Sequence, residues 1–217
     1  MEPFKALADL SQSDPRNQLW VVIDQSLPGG TRPITLVDEY SEMAYLELPP
    51  SVPDDIGHHF AAVRMLWVYG WFYYPFYTWA GFHAAACAES ALHRKLGVKE
   101  TGTRFGPSFK KLLKIAVGRG LLRDEGFEHA RRLRAKRDEA REMYREIAQV
   151  TGHPKRLHPH LRRYVDTLVE TFPYLRNVQA HPRGYSYTLP GHGRLMIELT
   201  RDLITQLFPQ EADPKSR

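Results

Sequence analysis

A chain of 217 residues, 42% hydrophobic and 25% charged, can bury one real core and is too apolar for a disordered polyelectrolyte. A single cysteine, Cys87, excludes a disulfide framework and fits a reducing compartment. Net charge is +5 but unevenly spread: residues 1–63 hold ten acidic against three basic residues, which leaves +12 on residues 64–217. A cationic body with an acidic leading segment suits an anionic partner such as nucleic acid; the bland alternative is a protein with charged helix faces. No charged n-region with a cleavage site opens the chain, so a secretory signal is not expected.

In chain order, residues 1–16 carry a short helical possibility at "EPFKALADL". "LWVVID" (19–24) reads as a strand, followed by the turn signal "LPGGTRP" and an ambiguous run, "ITLVDEYSEMAYLEL". "PPSVPDD" then punctuates the chain, with Asp54 or Asp55 able to cap the next helix. The boundary between an irregular or mixed extension (1–50) and the main body (51–208) is placed there.

Between Arg64 and Glu89 no Asp, Glu, Lys or Arg occurs, a length that meets the criterion for a membrane span. The eighteen residues "MLWVYGWFYYPFYTWAGF" nevertheless contain ten aromatics, four of them tyrosines, with Pro75 at the centre. Aromatics of a spanning helix favour its two ends rather than its middle. The expectation is one buried helix from about residue 55 to Leu96, ended by Gly97, with Pro75 the place for a kink. Membrane insertion is the minor alternative.

Beyond it, "GPSFKKLLKIAVGRG" predicts a short helix entered at Pro107 and finished by Gly118 or Gly120. "DEGFEHARRLRAKRDEAREMYREIAQVTG" predicts a long one with Phe127, Ala130, Leu133, Ala140, Tyr144 and Ile147 in a narrow apolar stripe. "HPHLRRYVDTLVETF" places Leu161, Tyr164, Val165, Leu168 and Phe172 on one side of another. A turn-rich loop, "RGYSYTLPGHG", leads to a closing helix, "RLMIELTRDLITQLF", and residues 209–217 read as a disordered tail. The body is therefore an all-α bundle of about five helices.

The segment "YLRNVQAHPRGY" (174–185) ends an apolar helical run in three polar groups. At 100° per residue, Asn177 and His181 share a face, and Pro182 disfavours helical geometry at His181, which frees its ring to turn toward Arg176. The outcome would be a titratable imidazole beside a permanently charged fork suited to phosphate oxygens. RNA brings its own nucleophile, the 2′-hydroxyl, so its cleavage needs only proton transfer and stabilisation of a developing phosphorane. The spacing alone decides nothing, since Arg123 and His129 repeat it at a helix start.

"LRNVQAHP" resembles the Arg-Asn-x-x-x-His signature of the HEPN superfamily, the "higher eukaryotes and prokaryotes nucleotide-binding" helical domains. The likeness extends to order, with an upstream acid in "AESALHRKLG", the motif after an apolar helix, then a loop and a final amphipathic helix. It covers roughly residues 65–208. It implies a cytosolic, cofactor-free and metal-independent endoribonuclease that cuts single-stranded RNA, in a toxin–antitoxin or phage-defence setting. It also implies a homodimer whose paired motifs form one cleft. By position, Arg176 would stabilise the phosphate, His181 would be the general acid/base, Asn177 would orient them, and Glu89 would support them. Members that partner nucleotidyltransferase antitoxins carry a tyrosine two residues after the histidine; here that position is Arg183, with Tyr185 nearby.

Each feature has a structural alternative. Arg176 can form an inter-helix salt bridge to Glu89, His181 can cap a helix end, and Glu89 can pair with His93 or Arg94. In "RRLRAKR", Arg131, Arg132 and Arg134, together with Arg183, are candidates to track a phosphate backbone; the alternative is a solvated face laced by pairs such as Glu128–Arg132. His153, His158 and His160 lack the partners of a metal site. The aromatic run 67–82 reads as core or dimer seam rather than as a base-stacking surface. The competing reading of the whole is a non-catalytic helical module that binds nucleic acid or a partner protein.

Overall fold

A computed structural model describes residues 4–97, 106–152, 162–180 and 189–210. The leading segment forms two 3-10 turns, Leu7–Asp9 and Pro15–Leu19, then a two-stranded antiparallel hairpin of β1 (Val21–Ile23) and β2 (Thr31–Pro33) with Val22 opposite Arg32. The ambiguous run resolves as a helix, α1 (Leu36–Ala44), because Thr35 and Asp38 make a reciprocal capping box that satisfies orphan N–H groups at its start.

The helix expected over 55–96 is two helices, α2 (Asp54–Tyr69) and α3 (Pro75–Leu96). Pro75 has no N–H to continue a helix but suits its first turn, so it starts α3 instead of kinking a longer element. The chain folds back there: the Trp67 and Tyr77 rings meet edge-on at 4.6 Å, and a Cβ on Gly70 would fall 2.6 Å from the Tyr77 ring. Backbone groups freed by the break are taken up by the leading segment. Asp14 N–H and Asn17 Nδ2 both donate to Trp71 O, at 2.8 and 2.7 Å, and Tyr74 N–H donates to Asp14 at 3.1 Å.

The remaining helices are α4 (Phe109–Gly118), α5 (Glu128–Thr151), α6 (Tyr164–Ala180) and α7 (Pro190–Leu207). The all-α bundle expected from periodicity is thus observed, with α7 starting within the segment read as loop. Ala80, Ala84, Ala85, Ala88 and Ala91 give α3 a buried row of small side chains, and α2, α4, α6 and α7 all pack around it. Gly193 of α7 lies so close to α3 that a Cβ there would stand 2.5 Å from Tyr77 O. Met43, Leu46 and Val52 belong to the same core, so no break in packing marks residue 50.

Two expectations about the helix faces are modified. The apolar stripe of α5 packs only at its start: Phe127 and Ala130 are buried, whereas Leu133 and Ile147 are exposed. A long helix with few apolar contacts can stand off the bundle because i,i+3 and i,i+4 ion pairs such as Glu128–Arg132 support it locally. In the aromatic run, Trp67, Tyr74 and Tyr77 are core, while Tyr69 and Trp79 are exposed. Among the described residues no helix is long and apolar enough to cross a membrane. Leu161 and most of the predicted tail lie outside the described residues.

Candidate functional site

The start of α6 is fixed by Asp124, whose carboxylate accepts from the backbone N–H groups of Tyr164 and Val165, each at 3.0 Å. Burial raises the pKa of this carboxyl, but those two donors and Arg134 outweigh it and hold it below the usual carboxylate range. Val165, Leu168, Val169 and Phe172 then bury the inner face of the helix. Arg176 stands one turn past Phe172 on that inner side, which carries its side chain toward α3.

There Arg176 Nη2 donates to Glu89 Oε2 at 3.0 Å and Nη1 to Asn177 Oδ1 at 3.2 Å. The guanidinium carbon lies 5.9 Å from the centroid of the Phe82 ring. The two charged side chains are partly open, 30% exposed for Arg176 and 21% for Glu89. Arg176 Nε is buried with no hydrogen-bond partner among the described residues. Glu89 therefore pairs with Arg176 across two helices, rather than with His93 or Arg94 on its own. A guanidinium held in this way is directed by Glu89 and stays in reach of solvent. Asn177 is exposed beside it.

His181 and Arg183, together with Tyr185 and the His153, His158 and His160 group, lie outside the described residues. The three basic candidates on α5 are bound up with their own neighbours. Arg131 donates to Glu128 and to Glu125 O; Arg132 reaches Glu128 at 3.3 Å and Glu198 at 3.6 Å; Arg134 pairs with Asp124 and Glu125, each at 2.9 Å. These three residues form a salt-bridged helix face and remain exposed on it.

Several groups escaped the sequence reading. Asp124 holds the start of α6 from a distant and ordinary "RDEG" turn. Glu39 is buried and accepts from Trp67 Nε1 at 2.7 Å, and burial pushes its carboxyl up to about 7. Arg162, which no motif singled out, faces a common cavity between α5 and α6 with Arg137, the last base of "RRLRAKR". Only long-range packing reveals such pairings, and no local motif announces them. Comparison with protein-family models, curated proteins and solved structures found no match.

Proposed function

We propose that this chain is a HEPN-type endoribonuclease that cleaves single-stranded RNA through attack of the 2′-hydroxyl on the adjacent phosphate. The products are a cyclic phosphate and a 5′-hydroxyl. The observation that carries this reading is Arg176, pinned by Glu89 yet partly open to solvent, at the head of an Arg-Asn-x-x-x-His motif. In that role its guanidinium stabilises charge that develops on the phosphorane, and Glu89 fixes its direction so that little reorganisation accompanies the reaction. His181 moves the proton, Asn177 orients the pair, and neither role calls for a metal or organic cofactor. A cytoplasmic homodimer would set two motifs across one cleft, with an antitoxin or other regulatory protein as a further partner. Exposed Tyr174 (66%) and Val178 (46%) on the outer side of the same turns support a second copy seated near the motif.

The test is incubation of purified protein with assorted single-stranded RNAs in chelator. Wild type should cut, and Arg176→Ala and His181→Ala should each lower the rate by about 10²-fold or more with an unchanged circular dichroism spectrum. Equal cleavage by wild type and His181→Ala would refute the assignment. The second reading, a non-catalytic nucleic-acid or protein-binding module, draws on the same ion pair: an Arg176 engaged by both Glu89 and Asn177 can serve purely to join α3 and α6. Salt-dependent RNA binding without any product would favour it.

A further inference from the structure

A cavity of about 540 Å³ opens between α5, α6 and α7. From α6 it is lined by Tyr164, Thr167, Leu168, Thr171 and Leu175, residues three or four apart that share one side of the helix. Leu133 and Arg137 supply the α5 wall, Leu195 and Leu199 of α7 the floor, and Arg162 the end nearest the start of α6. The groove is thus apolar below and cationic at its rim.

Its cations are not equivalent. Arg134 is neutralised by Asp124 and Glu125, and Arg163 by Asp166 at 2.9 Å. Among the described residues Arg137 pairs only with the adjacent Asp138, at 3.9 Å, and its Nε is buried without a hydrogen-bond partner. Arg162 is exposed, and among the described residues its side chain makes no hydrogen bond or ion pair. Two guanidiniums without a close ion pair among the described residues therefore overlook one leucine-floored cleft, with donors left for an anionic ligand.

We infer that this groove binds single-stranded RNA, with Arg137 and Arg162 on successive phosphates and bases laid on the leucine floor beside the Tyr164 ring. An aliphatic chain would satisfy the floor but leave the second guanidinium idle, whereas a strand repeats its phosphate. Thr167 and Thr171 add hydroxyl oxygens that can accept from base N–H groups; Thr171 already donates its own proton to Thr167 O at 3.0 Å. The α6 wall, from Tyr164 to Leu175, spans about 16 Å at helical rise, and it ends one residue before Arg176. A strand lying in the groove leads toward the motif-bearing turn. The inference rests on the ribonuclease reading for that direction of travel, but not for the binding itself.

The test is fluorescence anisotropy with a labelled oligouridylate of about 12 nucleotides, within the site sizes of such grooves. The double variant Arg137→Gln/Arg162→Gln should bind roughly tenfold more weakly at low salt, with a slope of log K against log salt shallower by about 1.4 than wild type. Arg131→Gln/Arg132→Gln, which removes an equal charge outside the groove, should change affinity by less than about twofold. RNA carrying 4-thiouridine should cross-link within α5 or α6 in wild type, a readout that needs no variant to fold. Equal losses in the two double variants, or adducts confined to other helices, would overturn the groove. Wild type that binds there but never cuts would sink the ribonuclease reading alone; normal binding by Arg137→Gln/Arg162→Gln with cleavage intact would sink the groove alone.

Discussion

At the scale of single residues, the structure separates charges that are spent from charges that remain available. Arg131, Arg132 and Arg134 are ion-paired with Glu128, Glu198, Asp124 and Glu125, whereas among the described residues Arg137 has only Asp138, at 3.9 Å, and Arg162 has no ion pair. Glu39 shows the opposite situation, a buried carboxyl that accepts from Trp67 Nε1, with Glu42 and Arg194 near enough to act on it. Its folded pKa of about 7 exceeds the unfolded value of 4.5, so the folded chain holds this proton more tightly. The associated stability is full below about pH 4.5 and is lost as pH rises through 7. The melting temperature of wild type should therefore drop by several degrees between pH 5 and 8, and Glu39→Gln, neutral throughout, should flatten that part of the curve. Parallel curves for the two proteins would mean that Glu39 does not titrate in this range. Asp124 works in the other direction: its depressed pKa contributes stability that is present above the unfolded pKa and is lost as acid protonates it.

At the scale of elements, the sequence was most informative where a local rule had no competitor. Gly97 ends α3 at φ +60 and Gly152 ends α5 at φ +69, both in the left-handed region that favours glycine. Ser108, one residue past the predicted Pro107 entry, caps α4 by accepting from Lys111 N–H at 3.4 Å. The division of the 55–96 run was less legible because aromatic and alanine-rich periodicity is continuous through Pro75; only the fold-back of Trp67 onto Tyr77 shows why a break is favoured. The crossing of α3 and α7 depends on Gly193, where the Tyr77 carbonyl occupies the space a side chain would need. Gly193→Ala should cost about 1–3 kcal/mol of stability through overpacking, measured by urea unfolding. Gly191→Ala, with open space around it, should cost little, and indistinguishable midpoints for the two variants would contradict the close approach.

At the scale of the whole molecule, the acidic leading segment is not a detached appendage. Met43 and Leu46 join the common core, Arg64 Nε donates to Met43 O at 2.7 Å, and Arg194 of α7 pairs with Glu42 of α1. The proposed composite cleft belongs to this scale, since one chain supplies a single Arg176. Light scattering should give a mass near twice 25.1 kDa. Tyr174→Asp/Val178→Asp should shift it toward the monomer and abolish cleavage together. A monomeric wild type that cuts RNA would remove the paired-motif arrangement while leaving the chemistry of a single Arg176.

Composition and periodicity were enough to establish a helical bundle and its main stops, because helix patterning and glycine termination are local consequences of backbone geometry. The same reading could name Arg176 and Glu89 as partners in an inter-helix salt bridge, since charge and spacing narrow the candidates. Whether an arginine is neutralised, left open on a groove or set against a neighbouring helix depends on which side chains arrive from distant elements. That is decided by packing: α6 must bury Phe172 before Arg176 can meet Glu89, and α5 must diverge from α6 before Arg137 and Arg162 can overlook one cleft.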